Sequence, residues 1–167
     1  DLYHIKPDGI ITIVLPHGVL FRGGEEYEIR KNLIEKNNID TIIGLPSNIF
    51  FGTGIPTIIM VLKKRKPDTN IQIIDASKFY IKDGKNNKLR ACDIKRIVDI
   101  IMARKDKEKF SRIVSRDEIV ENDYNLNIPR YVDSSETPEQ RDIYATMFGG
   151  IPAQELDTYD HYFELFP

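Results

Sequence analysis

The segment Gly44-Leu45-Pro46-Ser47-Asn48-Ile49-Phe50-Phe51-Gly52-Thr53-Gly54-Ile55-Pro56-Thr57 carries the side chains best suited to holding a ligand. It joins two apolar runs, 41–45 and 57–62. Connections between elements are usually polar and run over the surface. Two adjacent aromatics on backbone shaped by Gly and Pro either plug a core or present a face to something flat. The flat candidate is a nucleobase, which stacks on an aromatic ring for roughly 1–3 kcal/mol. Gly52 and Gly54 permit close backbone approach, or a turn with positive φ. Thr53 offers a hydroxyl to a phosphate, or ends the turn. Neighbours in an extended segment point to opposite sides, so one Phe is expected in the core and the other free.

Outside this loop the chemistry is sparse. His17 and Arg22 follow an apolar run at 10–15, and Lys63-Lys64-Arg65-Lys66 follows the run at 57–62. Arg22, Lys63 and Lys64 are candidate contacts to phosphate; His17 joins them by its place after a strand. Each has a plainer role available: His17 bonding a loop, and the lysines guarding an edge strand against aggregation. No Gly-x-Ser-x-Gly elbow occurs, no phosphate-cradling loop, and no Cys/His cluster with metal-ligand spacing. Gly52-Thr53-Gly54 lies between strands and runs into Ile-Pro, so it is not a cofactor fingerprint. No complete catalytic set is legible, and no metal site.

Composition narrows the class. The chain has 167 residues, enough for one domain or a piece of one. No apolar run reaches membrane-spanning length. A lone cysteine, Cys92, excludes an internal disulfide and suits a cytosolic protein. The net charge of −2 hides a basic middle, 60–116, and an acidic end, 117–167. A basic middle suits nucleic-acid phosphates; opposite-signed solvated helix faces explain the same pattern.

The elements that must position these residues follow from apolar spacing. Lys6-Pro7-Asp8-Gly9 reads as a turn, and 10–15 as a strand buried on both faces. The spacing predicts a helix over 25–36, with acids in its first turn and Tyr27, Ile29, Leu33 and Ile34 as its apolar side. Strands are expected at 39–45, 56–63 and 71–74. A strand–helix–strand order implies a parallel pair, and the short loop 46–55 implies an antiparallel one. Residues 82–88 read as an exposed loop. Asp93 is the expected cap of a helix whose apolar residues are Ile94, Ile97, Val98, Ile101 and Met102. Ser115 to Glu118 has the pattern of a capping box. Pro129 favours extended backbone over 124–131, and further helices are expected from Thr137 and from Pro152. Residues 1–80 form the sheet part and 81–167 a mostly helical extension. The chain opens on Asp1-Leu2-Tyr3 and ends on Leu165-Phe166-Pro167, the look of a piece of a longer protein.

The ordered blocks resemble one family. They are Ile13-Val14-Leu15-Pro16-His17-Gly18-Val19-Leu20-Phe21-Arg22-Gly23-Gly24, Glu28-Ile29-Arg30-Lys31, the Phe50-Phe51 loop, Ile73-Ile74-Asp75-Ala76-Ser77 and Glu121-Asn122-Asp123-Tyr124-Asn125-Leu126-Asn127-Ile128-Pro129-Arg130-Tyr131. Together they resemble the modification subunit of type I restriction enzymes, an adenine-N6 DNA methyltransferase using S-adenosylmethionine. The resemblance implies an α/β fold: the second half of a Rossmann-like methyltransferase sheet, strands five to seven with an antiparallel pair. It implies that the cofactor loop and an Asn-Pro-Pro-Phe motif precede the matched part, so no tight S-adenosylmethionine binding is expected here. The family's aromatic before strand seven falls on Phe50, with Phe51 second, making Phe50, Phe51, Gly52, Thr53 and Gly54 the expected target-base residues. Implied partners are DNA, a specificity subunit, a second modification subunit and a restriction subunit. A half-sheet also leaves an open edge through which copies can self-associate. The alternative is a non-catalytic module that binds subunits or nucleic acid.

Overall fold

The computed structural model describes residue 4 and residues 6–134. The helices expected from Thr137 and Pro152 lie outside the described residues. Within them, β1 (Ile10–Pro16) leads through a short 3-10 turn into α1 (Glu25–Glu35), followed by β2 (Ile39–Gly44), β3 (Thr57–Lys63) and β4 (Ile71–Asp75). Next come a small hairpin of β5 (Ile81–Asp83) and β6 (Asn86–Lys88), then α2 (Ala91–Ala103), β7 (Ser111–Val114) and α3 (Arg116–Glu121). Five strands form one mixed sheet in the order β1-β3-β2-β4-β7. β3 runs antiparallel to both β1 and β2, and β2 runs parallel to β4. β1, β2 and β4 therefore point the same way, and β3 alone is threaded backwards between the first two. The expected antiparallel pair of β2 and β3 is present, whereas the strands flanking α1, β1 and β2, run parallel without pairing because β3 lies between them. β7 extends the sheet past residue 80 by pairing antiparallel with β4.

Alternation along the strands divides the core. Ile42, Ile58, Met60 and Ile73 join Leu20, Ile34, Ile119, Leu126 and Ile128 in one cluster. Ile43, Leu45 and Ile74 join Ile97 and Phe110 in a second. Adjacent residues of one strand fall into different clusters because their side chains leave opposite faces. β2 and β4, covered on both faces, are buried throughout. Gly44 ends β2 where an added Cβ would lie 2.7 Å from Cδ1 of Ile128, so a larger residue would force that side chain to shift.

Several expectations change. β1 is not buried on both faces: it lies at the sheet edge, with Ile10, Ile13 and Val14 exposed. On α1, Ile29 faces solvent and Arg30 is buried in its place. On α2 Ile97 is the only buried apolar residue, whereas Ile94, Val98 and Met102 form an exposed apolar stripe. Helical periodicity shows that an apolar face exists but not whether anything covers it. Asp93 sits inside the first turn of α2, accepting from the backbone N–H of Arg90 at 3.0 Å and from its guanidinium. The exposed loop at 82–88 is a hairpin, turning at Gly84-Lys85 with Gly84 at φ 61°. Pro129 lies inside a short 3-10 turn, Ile128–Arg130, rather than in extended chain. Ser115 caps α3 as expected, accepting from Glu118 N–H. Among the described residues no helix is long and apolar enough to cross a membrane.

An ion cluster closes the end of the sheet where β2 begins and β3 finishes. Asp40 is buried, 3.0 Å from Lys63 and 3.2 Å from Arg104, and accepts from the Thr41 hydroxyl. Lys66 donates to the carbonyls of Ile39 and Asn70. Burial pushes Lys66 down to about 8, partly countered by Asp40. For Asp40 burial opposes the charge, but Lys63, Thr41 and Arg104 outweigh it and hold the carboxyl below 3.8. A depressed carboxyl stabilises the fold above its unfolded value, and that stabilisation is lost as pH falls through the lower folded value. Asp40→Asn should therefore cost about 3 kcal/mol at neutral pH and weaken the acid dependence of stability below about pH 4; urea melts across pH would show it. Separately, the isolated chain should self-associate through β1. Elution in gel filtration should depend on concentration, and Ile13→Lys should suppress that dependence.

Candidate target-base site

Three parallel strands finish at one end of the sheet, and the candidate residues gather there. Register aligns Pro16 with Thr57, Ile58 with Gly44, and Gly44 with Asp75. Because β3 runs backwards, the connection 45–56 must leave and return at this same end. Two backbone bonds close its base: Leu45 N–H to the Thr57 carbonyl at 2.9 Å, and His17 N–H to the Pro56 carbonyl at 3.1 Å.

The loop holds its aromatics outward. Phe50 is 42% exposed and Phe51 96% exposed. The expectation that one of them fills the core is not met, because the segment turns at Asn48 and Gly52 instead of staying extended. Asn48 adopts φ 54° and Gly52 φ 78°, the left-handed region where a side chain is strained. Thr53 ends the turn by accepting from Ile55 N–H through its hydroxyl at 3.2 Å. Gly54 lies where a Cβ would be 3.1 Å from the Asn48 side-chain oxygen. The two glycines thus let the chain fold tightly beneath the rings.

His17 and Arg22 lie at the same end, in the turn after β1. The His17 ring meets Phe21 edge-on, with centroids 5.7 Å apart. Burial pushes its pKa below the ordinary imidazole value, with Asp75 pulling it back. Arg22 is exposed, lies over Gly18 and stands 3.8 Å from Glu26. Asp75 accepts from Ser77 N–H and from the Ser134 hydroxyl. Lys63 and Lys64 are not brought here. β3 carries them to the opposite end of the sheet, where Lys63 faces Asp40.

Two supporting residues escaped the sequence reading. Arg30 is buried and donates to the carbonyls of Tyr124 at 2.7 Å, Val19 at 2.8 Å and Arg22 at 3.0 Å. It ties α1 to the His17–Arg22 turn and to the segment after α3. Asn87, from β6, grips the aromatic loop. Its backbone N–H donates to the Asn48 carbonyl at 2.8 Å, and its side-chain amide to the Ser47 carbonyl at 2.7 Å. An arginine on a helix and an asparagine in a polar stretch both look like surface residues, so neither carried a signal. No group of acidic, His or Cys residues that could hold a metal occurs among the described residues.

Comparison with known proteins gives consistent matches. Residues 1–140 match the family model of N-6 DNA methylases. The methylase subunit of the type I restriction enzyme MpnII from Mycoplasma pneumoniae is 40% identical over 143 residues, covering 85% of this chain and 26% of that protein. The MjaVII methylase subunit from Methanocaldococcus jannaschii is 42% identical over 139 residues, covering 80% and 24%. The crystal structure of a type I restriction-modification methyltransferase subunit from Streptococcus thermophilus superposes with a TM-score of 0.78 at 52% identity, covering 80% of this chain and 28% of that one. The chain thus spans about a quarter of the length of the relatives it matches.

Gly52→Ala should destabilise the loop by about 1–2 kcal/mol, since alanine resists the left-handed region. Amide exchange over 47–55 should speed up while the sheet strands keep their protection.

Proposed function

Because the chain belongs to the N-6 DNA methylase family, we propose that it forms the target-base side of a DNA methyltransferase acting on adenine N6. One observation carries this reading: two exposed aromatics on a Gly-shaped loop, at the end of the sheet where three parallel strands finish. Ligands of open α/β sheets bind at that end. An enzyme that modifies a base within duplex DNA must first rotate it out of the stack, and the extruded base needs a flat apolar face. Phe50, partly packed and so held in place, is the platform. Phe51 stands beside it, and the loop's backbone at Gly52, Thr53 and Gly54 forms the rim. His17 and Arg22 are close enough in the fold to serve the DNA backbone. Lys63 and Lys64 drop out, being at the far end.

β1, β2 and β3 correspond in this reading to strands five, six and seven of a Rossmann-like methyltransferase sheet. The support is β3, antiparallel between two mutually parallel strands. S-adenosylmethionine would supply the methyl group in the complete enzyme. The residues described here do not fit it, because no Gly-x-Gly-x-x-Gly loop joins a strand to a helix among them. The cofactor and the Asn-Pro-Pro-Phe motif that polarises the amine are therefore assigned to the rest of the methylase, and no step is derived through them here. The same reading makes DNA, a specificity subunit, a second modification subunit and a restriction subunit the partners, and the cytoplasm the location. The exposed stripe of Ile94, Val98 and Met102 on α2 supports attachment to a further subunit.

In the complete enzyme, Phe50→Ala should lower methylation at limiting DNA by about 5- to 150-fold, the equivalent of one lost stacking contact. Phe51→Ala should cost less. Steady-state rates with a single-site duplex measure both, and an unchanged rate for Phe50→Ala would remove its stacking role.

A further inference from the structure

The hairpin of β5 and β6 has no part in base stacking, yet it is fastened to the aromatic loop. Asn87 is the joint. It is buried, and two bonds hold the Ser47 and Asn48 carbonyls, while its side-chain oxygen stays buried without a partner. Lys82 is the register partner of Asn87 across the hairpin. Directly opposed residues of an antiparallel pair project to the same face, which puts Lys82 on the face that meets the loop. It is exposed, with Nζ 5.7 Å from the centre of the Tyr80 ring. Lys85 follows the Gly84 turn at the tip, exposed and without an ion pair among the described residues. Lys88 is opposite Ile81, on the other face, with Nζ 3.8 Å from Asp83.

We propose that Lys82 and Lys85 form a phosphate-binding site for the DNA strand on either side of the extruded base, with Asn87 holding that site at a set distance from Phe50. The proposal rests on the chain acting on DNA as a methylase. A base that leaves the stack swings about its own backbone, so its flanking phosphates come to the rim of the pocket that receives it. Lysine ammonium groups are suited to that position, being mobile point charges with three donors. Lys88 is excluded by its face and by Asp83. A rigid joint makes the phosphate grip and the base platform one unit, so gripping the backbone also sets where the base arrives.

Salt dependence reads the number of phosphate contacts, with a slope of about 0.9 per contact in log Kd against log salt. The assembled methylase, with its own duplex DNA, is compared with Lys82→Gln/Lys85→Gln and with Lys88→Gln. The double variant should lower the slope by about 2. Its loss of affinity between about 50 and about 200 mM salt should then be about 12-fold smaller than in the unmodified enzyme. Lys88→Gln should leave the slope near its starting value. Both lysines are exposed, so melting curves of the variants should match. Asn87→Ala keeps both charges; it should preserve the slope but at least halve the fluorescence rise of 2-aminopurine placed at the target position. An active enzyme whose double variant keeps the original slope overturns the proposal, as does an equal drop per lysine for Lys88→Gln. An unmodified enzyme that does not methylate DNA overturns the methylase reading and this site with it.

Discussion

β3 is hydrogen-bonded on both flanks to strands that run the other way, and the rest of the described fold follows from that pairing. A strand inserted between two parallel neighbours must enter from the end at which they finish. Its connection from β2 is therefore forced to the carboxyl end of β1, β2 and β4, where His17 and Asp75 also lie. The same reversal carries Lys63 and its basic neighbours to the opposite end. One antiparallel strand thus separates the aromatic loop from the densest basic run in the sequence.

The two ends of the sheet do different work. At one end Asp40, Lys63, Lys66 and Arg104 close the start of β2 with buried charge and carbonyl bonds. Such a cluster is demanding, because removing any partner strands a charge away from water. It ties α2 and the turn after β3 to the sheet. At the other end polar groups mainly clamp turns: Arg30 on three carbonyls, Asn87 on two, Asp75 on Ser77 and Ser134. These bonds fix backbone rather than bury ion pairs, so they hold the loops in shape and leave the aromatic rings outward.

Apolar surface left open is the other mark of this chain. Ile10, Ile13 and Val14 of β1 and Ile94, Val98 and Met102 of α2 stand open to solvent. The match to about a quarter of each relative is consistent with surfaces that meet further protein. The expectation that β1 is buried on both faces fails for one reason. Apolar periodicity reports which side chains share a face, and it is silent on whether that face is covered.

The local code of the chain determined its elements. β-branched runs gave the four main strands, acids and Asn37 bounded α1, and Ser115 capped α3. The ordered motifs carried the family, and the Gly/Pro-framed Phe pair marked the loop, because turn chemistry and side-chain type are properties of neighbouring residues. What only the tertiary structure decided depends on residues distant in sequence. It moved Lys63 away from the aromatic rings, buried Arg30 in place of Ile29, and brought Asn87 under Ser47 and Asn48. Each of these is a contact across many residues. Its energy comes from pairing or desolvation that exists only once the sheet is assembled, so no local pattern records it.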